Sequence, residues 1–376
     1  MARLAEAPYI GFDTEFVGER TYLPIFCLLQ IVHEREIYLI DTLSIRNIQA
    51  FLDIVAGDRV LKITHAGDND YRLLYNLYQI LPNRIFDIQI AAGFAGHSYP
   101  ASFGRIVERE LRHTLSKSHA VTNWEKRPLD AKARQYAVED VEYLPELYAK
   151  LQEKLARLGR ENWVWEEMEK WKNPDFYKID AYKEATQSDF IYQLKPREQL
   201  FLYRLYQWRR ERALRLNTPK ENALQTRHIS NIVKTIKNGP GAFKNNRTLQ
   251  EYIWKPYLAE WQQLWETPPD EHEAAVLLKL KNPPTEDPNQ EWVREMLYHL
   301  VRFQSIAHGI SPALLLPRAD FNKLKTPENG EALALLTGWR AELLGPSLTQ
   351  WLRDTPEMNL KWTSEGLCIH TRYTDE

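Results

Sequence analysis

The sequence predicts an α/β domain built on a mixed sheet, followed by two all-α helical domains, and three observations carry this. Strand-length apolar runs crowd the first hundred residues and alternate with helical periodicity. From about residue 102 onward only helical periodicity continues, except in LKWTSEGLCIHT near the end, which has the pattern of a short hairpin. Polar, proline-bearing stretches, KNPDFYKIDAYKEATQSD at 172–189 and then ETPPDEHE and KNPPTEDPNQ, divide the chain. At 376 residues it exceeds a single ordinary core, since domains run to roughly 100–200 residues. Domains are expected at 1–172, 190–268 and 269–376.

The elements follow in order. YIGFDTEFV, IFCLLQIVH and EIYLIDT read as three strands in meander spacing between residues 8 and 43. NIQAFLDIVA is a helix, VLKITHA at 60–66 a strand, DNDYRLLYNLYQI a helix, and RIFDIQIAAGF a strand running into a helix. Later segments 194–267 and 290–355 are helical and of similar size.

Composition narrows the function. The chain is 44% hydrophobic and 27% charged, with no apolar run near the roughly 20 residues that span a bilayer. The opening MARLAEAPYIGF lacks a basic start, an apolar stretch and a small-residue cleavage site, so a cytoplasmic protein without membrane attachment is expected. Two cysteines, Cys27 and Cys368, suggest neither a disulfide framework nor a thiolate metal site. The net charge of −2 hides a basic block, because residues 194–267 hold 14 Lys/Arg against 6 Asp/Glu. A localised positive segment is the footprint of a polyanion binder.

Within IGFDTEFV, Asp13 and Glu15 project from one face of a strand whose flanks are apolar. A covered, unpaired carboxylate is costly or neutralises, and a divalent cation would resolve the pair. Such an ion needs further oxygen ligands. THAGDNDYRLL at 64–74 offers Asp70, about one turn into a helix at the carboxyl edge of the sheet, while Asp68 is a first-turn carboxylate complementing the helix dipole. RQYAVEDVEYLPELY at 134–148 places Tyr136 and Asp140 four residues apart, on one helix face. Each feature also has an ordinary reading, as a solvent-facing D-x-E, a helix-start acid and a surface i,i+4 pair.

Taken together and in this order, FDTEF, HAGDNDYRLL and QYAVED resemble the three motifs of the DEDD exonuclease superfamily, in the tyrosine-bearing branch that includes ribonuclease D. The W-x-x-R-P-L run before the last motif strengthens the resemblance, which covers residues 8–160. It implies an RNase H-like mixed sheet with flanking helices. It also implies two divalent metal ions, Mg²⁺ or Mn²⁺, held by Asp13, Glu15, Asp70 and Asp140, with Tyr136 orienting the attacking water. The implied activity is that of a 3′-5′ exoribonuclease releasing nucleoside 5′-monophosphates, with tRNA precursors and other small structured RNAs as substrates. No obligate protein partner is implied and a monomer is expected. A DNA exonuclease acting in repair and an inactive nucleic-acid-binding scaffold are the competing readings.

Residues 194–234 further resemble the HRDC domain shared by RecQ-type helicases and this exonuclease branch, through L-x-x-W-R-x-x-x-A and N-x-P, and 290–355 resemble a second, more divergent copy. Nucleic-acid contacts are expected from Phe16, by wedging or stacking terminal bases. On phosphates they are expected from Lys117, Arg127, Arg204, Arg212 and Arg215. The arginines of this helix cannot all share one face, so some must pair with acids or lie along apolar surface.

Overall fold

The computed structural model describes residues 1–45, 47–116, 122–178, 181–186, 189–281, 288–317, 337–354, 357–363 and 366–372. After the short helix α1 (Ala2–Ala5) come β1 (Tyr9–Val17), β2 (Ile25–His33), β3 (Glu36–Ile40), α2 (Gln49–Ala56), β4 (Leu61–Thr64), α3 (Asp68–Tyr78), β5 (Ile85–Asp87) and α4 (Ile88–Phe94). The sheet order is β3-β2-β1-β4-β5, with β2 antiparallel to both β1 and β3, and β4 and β5 parallel to β1 and to each other. The expected mixed sheet is thus present, with the D-x-E strand at its centre.

Pairing on the two sides of β1 ends at different points. With β4 it runs only from Tyr9↔Leu61 to Gly11↔Ile63, whereas with β2 it continues to Val17↔Ile25 across an irregularity between Glu15 and Phe16. The carboxyl half of β1 therefore has one edge free of β4, which leaves room for side chains from the loop after β4.

One face of the sheet packs on α2 and α3, where the ring of Phe12 meets Phe51 and Tyr71 edge-on at 5.3 and 5.8 Å. The helices α5 (Phe103–Leu111), α6 (Ala131–Glu142) and α7 (Leu144–Leu158) follow, and α6 and α7 cover the other face. Gly11 admits that approach: a Cβ there would lie 2.6 Å from Val32 Cγ1 and 3.1 Å from Leu144. Helix α6 starts where the Asp130 carboxylate accepts from the Ala133 amide at 2.8 Å. Its buried stripe is Ala133, Ala137 and Val141, and Pro145 favours a break in the helix after Glu142.

The helical remainder contains α8 (Glu161–Met168), α9 (Ala181–Thr186), α10 (Pro196–Arg215), α11 (Lys220–Ala223), α12 (Thr226–Ile236), α13 (Pro240–Asn245), α14 (Glu251–Trp254), α15 (Leu258–Glu266) and α16 (Glu271–Lys281). The helices from α9 to α16 share one core built on Phe201, Leu205, Trp208, Ile232, Phe243 and Trp261. Helix α16 belongs to this core through Val276 and Leu280, although it lies beyond the expected boundary at residue 268. The segments that follow, α17 (Pro288–Ala307), α18 (Pro312–Leu315) and the helical stretch Gly338–Asp354, which is broken by a kink at Gly345, return to the first core. There Trp339 packs against Phe94 of α4 and Trp163 of α8, with ring centroids 4.7 and 6.0 Å away. The expected terminal hairpin is present as β6 (Glu357–Thr363) paired antiparallel with β7 (Gly366–Arg372). Among the described residues no helix is long and apolar enough to cross a membrane.

Candidate active site

Three elements, β1, α3 and α6, supply the acidic residues and the tyrosine at the free edge of β1. The strand supplies Asp13 and Glu15, and α6 supplies Tyr136 and Asp140 beside its alanine stripe. One carboxylate oxygen from each of Asp13, Glu15 and Asp140 lies within 4.8 Å of the others. Asp70 stands outside this trio on α3, buried, and accepts a hydrogen bond from the hydroxyl of Thr14. Its charge nevertheless reaches the trio, because it is the strongest charge acting on Asp13.

The approach of α3 is fixed by a second buried acid. Asp87, at the end of β5, caps α4 by accepting from the Ile90 amide at 3.0 Å and reaches back to the Gly67 amide at 2.9 Å. Gly67 leads into α3, and a Cβ on it would meet Thr64 Oγ1 at 2.5 Å, so the turn that aims Asp70 is tied to β5 and closely packed. Sequence inspection passed over both Thr14 and Asp87. An Asp at a strand-to-helix junction is a capping signal, whereas nothing local marks Thr14 as the partner of Asp70.

Electrostatics here are those of crowded anions under low-dielectric cover. Burial, then Asp70, Asp140 and Glu15, hold the Asp13 carboxyl well above its ordinary range. Burial, Asp140 and Asp70 push Glu15 to about 8. Burial raises Asp70 to about 7 against the opposing Thr14 hydrogen bond, and Asp140 to about 7 against that of the Tyr136 phenol. The Tyr136 phenol is itself driven up by burial and by Asp140, so it stays protonated at neutral pH. Asp140 Oδ2 is buried and has no hydrogen-bond partner among the described residues. An all-carboxylate cluster with an idle buried oxygen fits a hard divalent cation, which would pay for the repulsion.

A stability profile follows. The four carboxylates titrate near 4 in an unfolded chain and higher in the fold, so the folded form binds more protons over the interval. Stability is then lost as pH rises through about 7 to 8. In a chelator the melting temperature is expected to fall as pH rises from about 5 to about 8. A saturating divalent cation should remove the slope. A flat chelated profile would mean that burial and crowding do not hold these carboxyls above their ordinary range.

The proposed nucleic-acid contacts fare differently. Phe16 is half-buried against the main core. Lys117 lies outside the described residues. Arg127 is engaged internally, with Nη2 donating to the Cys27 carbonyl and Asp41 at 2.7 Å each, and Nη1 to the Trp124 and Lys126 carbonyls at 2.7 and 2.9 Å. These bonds hold the loop whose Trp124 ring lies 5.9 Å from Tyr136. Arg204 is 5% exposed and is spent on Glu273 and the carbonyls of Leu264, Thr267 and Pro268. Arg212 lies over Tyr257, 4.2 Å from its ring centroid. Of the α10 candidates only Arg215 is exposed. The core of a helical bundle needs the stems and heads of such residues for packing, which spacing alone does not reveal. Exposed positive charge concentrates instead at 226–257, where six Lys/Arg face one Asp/Glu and Tyr252 is 70% exposed.

Known proteins resemble this chain in sequence and in fold. A profile of the 3′-5′ exonuclease family matches residues 1–156. Ribonuclease D of Nitrobacter hamburgensis is 30% identical over 355 residues, covering 92% of this chain and 90% of the relative. That of Sphingobium indicum is 31% identical over 359 residues, covering 92% and 89%. In fold, the crystal structure of Escherichia coli RNase D, described as an exoribonuclease involved in structured RNA processing, superposes with a TM-score of 0.77 at 24% identity. The match spans 95% of this chain and 96% of that one.

Proposed function

Since this chain belongs to the ribonuclease D family of 3′-5′ exoribonucleases, we propose that it trims tRNA precursors and other small structured RNAs from the 3′ end, with Asp13, Glu15, Asp70, Asp140 and Tyr136 as its catalytic residues. The observation that carries this reading is the gathering of Asp13, Glu15 and Asp140 oxygens within 4.8 Å of one another. Asp13, Glu15 and Asp140 would hold one divalent cation, and Asp13 with Asp70 would face a second. Two Mg²⁺ or Mn²⁺ ions supply an acidified water and relief of charge on the leaving 3′-oxygen.

The chain's own groups do the rest. Tyr136, protonated at neutral pH, hydrogen-bonds the attacking water and orients it, and does not take its proton. Thr14 holds Asp70 in place, and the Arg127 loop backs Tyr136 through Trp124.

End-labelled tRNA precursor and matched single-stranded DNA, incubated with Mg²⁺ or Mn²⁺, test the proposal. Mononucleotides are expected from the 3′ end of RNA, and none in a chelator. Equal release from DNA would remove the RNA preference, and no release with either ion would remove the site. In the same assay Tyr136→Phe is expected to slow turnover about 10- to 100-fold, the value of one hydrogen bond to a developing charge. An unchanged rate would show that Tyr136 does not touch the water.

We place the RNA backbone contact on the exposed basic surface at 226–257. Replacing Arg227 and Arg247 together by Ala is expected to weaken RNA binding and to flatten its salt dependence by about two counterions. A binding isotherm with an unaltered salt slope would place the contact elsewhere.

A further inference from the structure

Gln30 sits in the middle of β2, between Leu29 and Ile31, and is 0% exposed. Both ends of its amide, Nε2 and Oε1, are buried without a hydrogen-bond partner among the described residues. An idle buried amide is costly, and a leucine would serve the core better. A polar side chain at such a cost asks what it is there to meet.

Register answers. Gln30 is the direct antiparallel partner of Asp13, and residues paired in this way share one face with Cβ atoms about 4.5–5.5 Å apart. Its partner on the other side, in β3, is Leu39. The helix over this face brings Ala133, Ala137 and Tyr136, packed with Leu28 and Leu39. Of the neighbours named, Asp13 is the one carboxylate in register with the amide.

We infer that Gln30 is a positioning residue for the exonuclease reaction: its amide N–H donates to the Asp13 carboxylate when the cluster is charged and loaded with cation, fixing that carboxylate's orientation. The inference rests on Asp13 being a metal ligand, and its test separates the two claims.

The test is calorimetric titration of the full chain with Mn²⁺, without RNA, alongside melting in a chelator. Gln30→Met and Gln30→Leu keep the volume and remove the amide. Both are expected to bind Mn²⁺ about 10- to 100-fold more weakly, the usual effect of losing a ligand's supporting hydrogen bond. Their melting temperatures in chelator should equal or exceed that of the wild type, because an unpaired polar group has been removed. With RNA, kcat should fall while KM holds. Unchanged Mn²⁺ affinity in a folded variant overturns the inference and leaves the site intact. Failure of both variants to fold, or lower melting temperatures with unchanged affinity, also overturns it, since the amide would then support the metal-free core. Absence of Mn²⁺ binding by the wild type overturns the inference and the site together.

Discussion

Asp13→Asn and Asp140→Asn are each expected to lower turnover at least about 1,000-fold while leaving the protein folded and still able to bind RNA. Each substitution removes an anionic oxygen from the trio that lies within 4.8 Å, and the stabilisation a divalent cation offers a phosphoryl transition state is worth several kcal/mol. Folding should improve, because Asp13 is the point on which Asp70, Asp140 and Glu15 all press. An amide there relieves repulsion at nearly constant volume. RNA binding should persist if the backbone contact lies on the basic helices far along the chain. Single-turnover rates on end-labelled RNA in Mg²⁺, with melting in a chelator, check both halves. A rate within about tenfold of the wild type for either variant would remove that residue from the reaction.

Arg204→Ala is expected to destabilise the middle helical core by about 3–5 kcal/mol, the usual consequence of leaving one member of a buried ion pair alone. The guanidinium is 5% exposed and meets both oxygens of Glu273, one at 2.7 Å and the other at 2.5 Å. It also closes the turn before α16 by donating to the Leu264, Thr267 and Pro268 carbonyls at 2.6 to 2.9 Å. Arg204→Met combined with Glu273→Leu should recover much of the loss, since no buried charge then stays unpaired. Calorimetric melting reads the effect. Normal stability with weakened RNA binding in Arg204→Ala would return this arginine to the nucleic-acid surface.

The two cases mark how far residue order reaches. That Asp13 and Glu15 share a strand face, that Tyr136 and Asp140 share a helix face and that Asp70 lies on the helix after β4 were all legible, because strand alternation and the i,i+4 rule are local. Strand and helix boundaries in the α/β part were legible for the same reason, and the sheet's composition with them. The arginines of α10 were not. Six Lys/Arg in a helix look alike in sequence whether they face solvent or stitch the helix to a neighbour, and the partner Glu273 is 69 residues away from Arg204. The third helical segment was likewise read as a separate domain, whereas Trp339 packs on Phe94 and Trp163 within the first core.

What the amino-acid order alone determined is the chemistry: which acids, on which elements, and hence which class of reaction. What only the tertiary structure decided is which cations are spent internally, that Thr14 holds Asp70, that Asp87 ties down the turn aiming α3, and that Gln30 stands opposite Asp13. Local periodicity sets which face a residue occupies within its own element. Which two faces meet is set by packing between segments far apart in sequence, where burial turns the same side chain from a surface charge into a structural bond.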